Sequence, residues 1–189
     1  MDTLAILFGS EARVKLLRLL LWHPDASFYA EQLADRFKLK SEIVRKELAV
    51  LVEAGVIRIK SKRGKRAWTL VPRFVLLSEL TVLLAAEAGS RRREIIRRAK
   101  AAGKVRYLLV AGIFVNEQSR VDLLVVGEKL KKAVIEKLVA DLELSLGREL
   151  NYAVLETEDY LFRLHSSDRF VRDIFDYPHL ILIDKLPGA

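Results

Sequence analysis

Five cations crowd into seven positions of this chain: Lys60, Lys62, Arg63, Lys65 and Arg66, around a single Gly64. Such a cluster can neutralise several phosphates at once, and the counterions released make binding steeply salt-dependent. A second set of polar side chains lies just upstream. Ser41, Glu42, Arg45 and Lys46 fall away from the face formed by Val44, Leu48 and Leu51 in a helical reading. Classical catalytic groups are sparse. His23, His165 and His179 have no partner histidine at i+3 or i+4, and the chain has no Cys, so thiolate chemistry and a zinc site are not expected. Ser166, Ser167 and Asp168 beside His165 read as a helix cap, because no nucleophile elbow surrounds them.

Charge distribution narrows the class. The 189 residues carry a formal net charge of +8, and it is uneven. Through Gly103 there are 21 Lys and Arg against 11 Asp and Glu; from Lys104 onward the counts are 12 and 14. A basic module joined to a near-neutral one is the expectation. Hydrophobic residues make up 51% and charged residues 31%, which fits a packed globular protein. No apolar run has the ~18 residues of a membrane span, and Met1-Asp2-Thr3 opens no signal peptide, so a cytoplasmic protein without a membrane partner is expected.

The elements that must hold the basic residues follow from periodicity. Ser10 is placed to cap a helix from Glu11 to Trp22, whose Val14, Leu17, Leu20 and Leu21 recur at helical spacing before Pro24. Ser27 is expected to cap Phe28 to Phe37, and Ser41 to cap Glu42 to Ala54, with Gly55 as the stop. Val56 to Lys60 and Ala67 to Val71 read as two strands, with Ser61 to Arg66 as a basic turn between them. Gly9-Ser10 resembles a phosphate-binding Gly-Ser loop, but amphipathic helix follows it, and Ser10 reads as a cap.

Helix, short turn, helix, then a hairpin with a basic tip resembles the winged helix-turn-helix domain of bacterial and archaeal transcriptional regulators. The stretch Ser41 to Ile57, with its S..V..EL..L.EAGVI pattern, carries the likeness, which covers roughly residues 10 to 85. The resemblance implies that the start of the third helix faces the major groove and that the hairpin tip crosses a neighbouring backbone or minor groove. Ser41, Glu42, Arg45 and Lys46 would then meet DNA, with Arg45 able to fork onto guanine and Lys46 suited to a phosphate. Lys60, Lys62, Arg63, Lys65 and Arg66 would hold the backbone.

Phe74 to Glu87 reads as an apolar helix that packs on this module or mediates dimerisation, and Gly89-Ser90 as a break. Ser90 would cap a basic helix from Arg91 to Ala102, equally readable as a solvated face and as a further phosphate contact. Beyond it, strands are expected at Val105 to Ala111, Arg120 to Val126, Leu150 to Leu155 and Leu180 to Ile183. Helical patterns fall at Leu130 to Leu146 and between Glu158 and Phe175.

This second half resembles the minimal nucleotidyltransferase fold. The likeness rests on the strand ending in Ala111-Gly112, on Val121 to Gly127, on GRELNY at Gly147 to Tyr152 and on YPHLILI at Tyr177 to Ile183. Active members of that fold place Ser after the Gly and two carboxylates as Asp-x-Asp, to hold a triphosphate and its Mg²⁺ ions. Here Ile113 follows Gly112, and the Asp pair reads Arg120 and Asp122, so a vestigial site without metal, cofactor or catalysis is expected. The expected fold class is therefore α+β in two domains. Residues 1–88 would form the winged helix-turn-helix, and residues 89–189 a nucleotidyltransferase-like domain with a mixed sheet.

The expected function is a DNA-binding transcriptional regulator, acting on double-stranded DNA as a homodimer. Its second domain would serve dimerisation, a protein partner or a nucleotide-like ligand. Two alternatives stand beside it: a nucleotidyltransferase that modifies a protein or nucleic acid, and a winged-helix adaptor that binds only proteins.

Overall fold

In the computed structural model, which describes residues 3–62 and 64–186, a mixed α+β chain holds a two-stranded antiparallel sheet and a four-stranded mixed sheet. The side chains of Lys62 and Ser90 fall outside the description. Two compact units form. One comprises the residues up to Leu84 with Glu143–Arg148; the other comprises Ala85–Leu142 and the residues from Glu149 on. The expected boundary between 88 and 89 falls inside a helix that runs Leu77–Ser90.

The first unit opens with α1 (Thr3–Leu7) and α2 (Glu11–Trp22). Ser10 Oγ accepts a hydrogen bond from the Arg13 amide at 3.2 Å, so the residue is the helix cap its spacing suggests. The next two caps differ from expectation. Helix α3 spans Ala30–Phe37 and is preceded by Tyr29, because Phe28 is drawn into an antiparallel bridge with Trp68. Helix α4 spans Ser41–Glu53, with Lys40 rather than Ser41 at the cap position. Val14 and Leu17 of α2, Leu33 and Phe37 of α3, and Val44, Leu48 and Leu51 of α4 meet in one core with Ile57 and Leu70. Each such aliphatic side chain contributes roughly 1.5–3 kcal/mol of burial. Glu47 is also buried, and its carboxylate accepts from Arg13 Nε at 2.8 Å, tying α4 to α2.

Strands β1 (Ile57–Lys62) and β2 (Lys65–Leu70) pair from Ile57↔Leu70 to Lys62↔Lys65. The six-residue basic turn expected at Ser61 to Arg66 is therefore a two-residue connection, and its flanking cations belong to the strands. Gly64 supplies φ +72, the left-handed conformation that a two-residue hairpin connection demands. The Phe28–Trp68 bridge sits on the free edge of β2, with both amide–carbonyl bonds made, at 2.9 and 2.8 Å.

Helix α5 (Leu77–Ser90) runs from the first unit into the second, where α6 (Arg92–Lys100) follows with Arg91, not Ser90, at its cap position. The sheet of the second unit is ordered β5-β4-β3-β6, from β3 (Lys104–Ala111), β4 (Leu123–Glu128), β5 (Tyr152–Glu156) and β6 (His179–Asp184). β3 pairs antiparallel with β4 and β6, while β4 and β5 are parallel, joined by a crossover containing α7 (Lys132–Leu146). Tyr107, Leu109, Leu124 and Val126 pack on one face with Tyr160, Val171 and Ile174 of α8 (Thr157–His165) and α9 (Arg169–Phe175). On the opposite face Leu108, Val110 and Val125 are equally buried, the period-2 pattern of a sheet covered on both sides. Arg120, Val121 and Asp122, expected to open a strand, precede β4 instead, although the Asp122 backbone still bonds to Ala111 of β3 and to Asn151.

Candidate nucleic-acid interface

The register of the hairpin sets Arg58, Lys60 and Lys65 on one face and Arg66, across from Ser61, on the other. Arg58 and Lys60 alternate on one face of β1, and Lys62 stands across from Lys65. No Asp or Glu occurs between Val56 and Val71 to offset the hairpin's cations. Arg58, Lys60, Lys65 and Arg66 are exposed, and among the described residues none of them makes an ion pair. Arg63 lies outside the described residues. Arg58 escaped the sequence reading; its alternation with Lys60 and Lys62 at i, i+2 and i+4 is the signal that marks it.

Helix α4 presents a different face. Glu42, Arg45 and Lys46 are exposed and Ser41 is half-buried, so these side chains lie off the core-facing stripe. Yet the face is electrically balanced. Arg45 Nη2 sits 2.6 Å from Glu31 Oε1, in the first turn of α3. The Glu31 carboxylate is held below the usual glutamate range by a hydrogen bond from its own amide and then by the Arg45 guanidinium. Lys46 has no such partner among the described residues, and Glu42 and Glu53 are exposed on the same helix.

Between α4 and the hairpin lies a groove of about 1080 Å³. Tyr29, Ala49, Val52, Ile59 and Trp68 give it apolar walls, with Glu31, Arg45, Lys65 and Arg66 among its polar groups. Trp68 thus lines this groove while remaining 9% exposed.

The loop between β3 and β4 carries the second set of expected site residues. Asp122 is 2% exposed, and both carboxylate oxygens are engaged by amides: Oδ1 by Ile113 N at 3.2 Å and Oδ2 by Asn151 N at 2.9 Å. Gly112, at φ +55, is required there, since a Cβ would collide with Asp122 Oδ1. Arg120 does not approach Asp122 with its charge. Its guanidinium is exposed and pairs with Asp173 of α9 at 2.7 Å. Gly112 and Asp122 therefore share a packed loop, while Arg120 belongs to the surface. No group of three or more His, Cys, Asp or Glu suited to a metal ion occurs among the described residues. No helix of the described residues is long and apolar enough to cross a membrane.

Compared with known proteins, the chain matches no protein-family model, no curated protein and no solved structure.

Proposed function

We propose that this protein is a transcriptional regulator whose first unit is a winged helix-turn-helix bound to double-stranded DNA. The observation that carries the reading is the hairpin: a run of exposed cations that make no ion pair among the described residues, on paired strands set beside a helix whose outward face is polar. Phosphate contacts from the hairpin would supply affinity and register, and α4 would supply the weaker, sequence-dependent contacts. The antiparallel bridge of Phe28 to Trp68 supports the same reading, because it ties the segment between α2 and α3 to the edge of the hairpin. In the second unit we infer a nucleotidyltransferase-like domain without transfer activity, serving dimerisation, a protein partner or a nucleotide-like ligand. Asp122 supports that inference, since its carboxylate oxygens already accept two amides.

Selection of bound sequences from a random duplex pool tests the regulator directly. A recurrent motif is expected, together with a binding constant that falls steeply with salt. The triple variant Lys60→Glu, Lys65→Glu, Arg66→Glu should weaken binding by about 100-fold or more and lower the salt slope by about 3. No enriched motif, with duplex affinity unmoved by this variant or by Arg45→Glu, leaves the protein-adaptor reading in its place.

A further inference from the structure

The second unit carries a basic surface of its own. Arg93, Arg97 and Lys100 recur at i, i+4 and i+7 along α6, away from its buried Ile95 and Ala99, and all three are exposed. The loop leading into α7 adds to them. Lys131 N donates to Ala102 O at 2.8 Å, and a Cβ on Gly103 would stand 2.9 Å from Lys129 O. The segment from Lys129 to Lys131 therefore lies against the turn that ends α6. Exposed Lys129, Lys131 and Lys132 join Lys100 at that end.

None of these six cations makes an ion pair among the described residues, whereas the neighbouring carboxylates are engaged. Glu94 pairs with Arg91 and Arg98, Asp141 with Arg98, and Glu128 with Lys104 and Arg106. One exposed carboxylate, Glu136, stands a turn into α7. Lys132 opens α7 with no acidic residue in the first turn, where the helix dipole disfavours a cation. Six exposed charges are thus held together at an electrostatic cost that a bound polyanion would relieve.

We propose that this surface binds the phosphate backbone of double-stranded DNA, as a second contact site separate from the hairpin. The kind of partner follows from what accompanies the charge. Among the described residues, no large hydrophobic side chain between Ala85 and Asn151 is exposed. A membrane surface would call for apolar groups to enter the bilayer, a protein partner for an apolar or aromatic anchor, and a single strand for aromatic stacking platforms. A purely cationic surface suits a regular row of phosphates. From Arg93 to Lys100 the helix spans about 10 Å, the reach of about three phosphates of one strand along the duplex axis.

The test uses the full chain and a 30-base-pair duplex of arbitrary sequence, titrated by fluorescence anisotropy at several salt concentrations. Two variants are made: Arg93→Gln with Arg97→Gln and Lys100→Gln, and Lys129→Gln with Lys131→Gln and Lys132→Gln. Each is expected to lower the salt slope by 2 to 3, as roughly one counterion is released per phosphate contact, and to weaken binding about tenfold or more. A control, Arg163→Gln with Arg169→Gln and Arg172→Gln, removes the same charge from the α8–α9 side and should change affinity less than twofold. Melting curves establish that each variant is folded, and the second reads the same surface should the first unfold.

Slope and affinity unchanged in both variants would overturn the proposal, as would an equal loss in the control, which would mark a net-charge effect. Loss of binding to phosphatidylserine vesicles with duplex binding intact would also overturn it, in favour of a membrane surface. The hairpin variant separates this site from the regulator reading. If the hairpin alone matters, the second site fails and the regulator stands. If only the α6 and Lys129–Lys132 variants matter, the second site stands without the hairpin.

Discussion

The hairpin and the loop from Gly112 to Asp122 look alike as strings of residues, since each sets charged side chains near a glycine. The structure separates them by what the charges meet. In the hairpin, Arg58, Lys60, Lys65 and Arg66 are exposed and make no ion pair among the described residues, although Lys65 acts on Glu31 at longer range. In the loop, the Asp122 carboxylate is turned inward and accepts amides from Ile113 and Asn151, and the Arg120 guanidinium is matched by Asp173; the exposed Glu117 lies between them in sequence. An ionised group that the fold has already satisfied is structure. One that the fold leaves open, at a cost in repulsion, is available to a ligand.

That contrast is broken first at Asp122. Asp122→Ala leaves two amides of the loop without their acceptor and should destabilise the second unit by about 3 kcal/mol, at 1–3 kcal/mol per unsatisfied group. Arg120→Ala, which removes an exposed ion pair, should cost well under 1 kcal/mol. Urea denaturation of the two variants reads the difference; equal midpoints would mean that Asp122 is not structural. Duplex affinity should follow neither change.

A second inward-facing pair sharpens the comparison through pH. Tyr107 and Tyr160 stack at 5.5 Å, and burial raises both hydroxyls above the ordinary tyrosine value, Tyr107 strongly. A raised folded pKa contributes stability that is complete below the unfolded value near 10 and is lost as pH rises toward the folded one. The melting temperature should therefore fall above about pH 10. Tyr107→Phe should make that alkaline decline shallower, with a loss of about 1 kcal/mol at neutral pH from the missing hydrogen bond to Tyr160. An identical slope in parent and variant would remove the tyrosines as its cause.

The smallest effect lies at Glu31, where the first unit departs from its own pattern by neutralising Arg45. Glu31→Gln releases the guanidinium and should strengthen duplex binding by about threefold, with the salt slope steeper by about 1. Weaker binding would show that the pair orients Arg45 toward DNA. Because the Glu31 carboxyl is lowered, its contribution is present above the ordinary glutamate pKa and is lost only as pH falls through the lower folded value. Acid should free Arg45 only below the usual glutamate range.

Much of the secondary structure was legible because it depends on neighbours in the chain. Helix α2 has the bounds its apolar spacing and Ser10 cap foretell, and the paired strands fall where the β-branched and aromatic residues cluster. The serines at 27, 41 and 90 do not stand at the cap positions of α3, α4 and α6, and at Ser27 the cause is visible. A capping residue takes effect only where tertiary packing lets the helix begin, and the Phe28–Trp68 bridge, between residues 40 positions apart, moved the start of α3.

By itself, then, the sequence determined the mixed α+β composition, the concentration of positive charge before Gly103 and the identity of the hairpin cations. Which charges remain open was decided only in three dimensions. Arg45 meets Glu31 across 14 residues, Asp122 meets Asn151 across 29, and Arg120 meets Asp173 across 53. Periodicity is a local property of the chain, but the partner of a polar group is set by how distant elements pack.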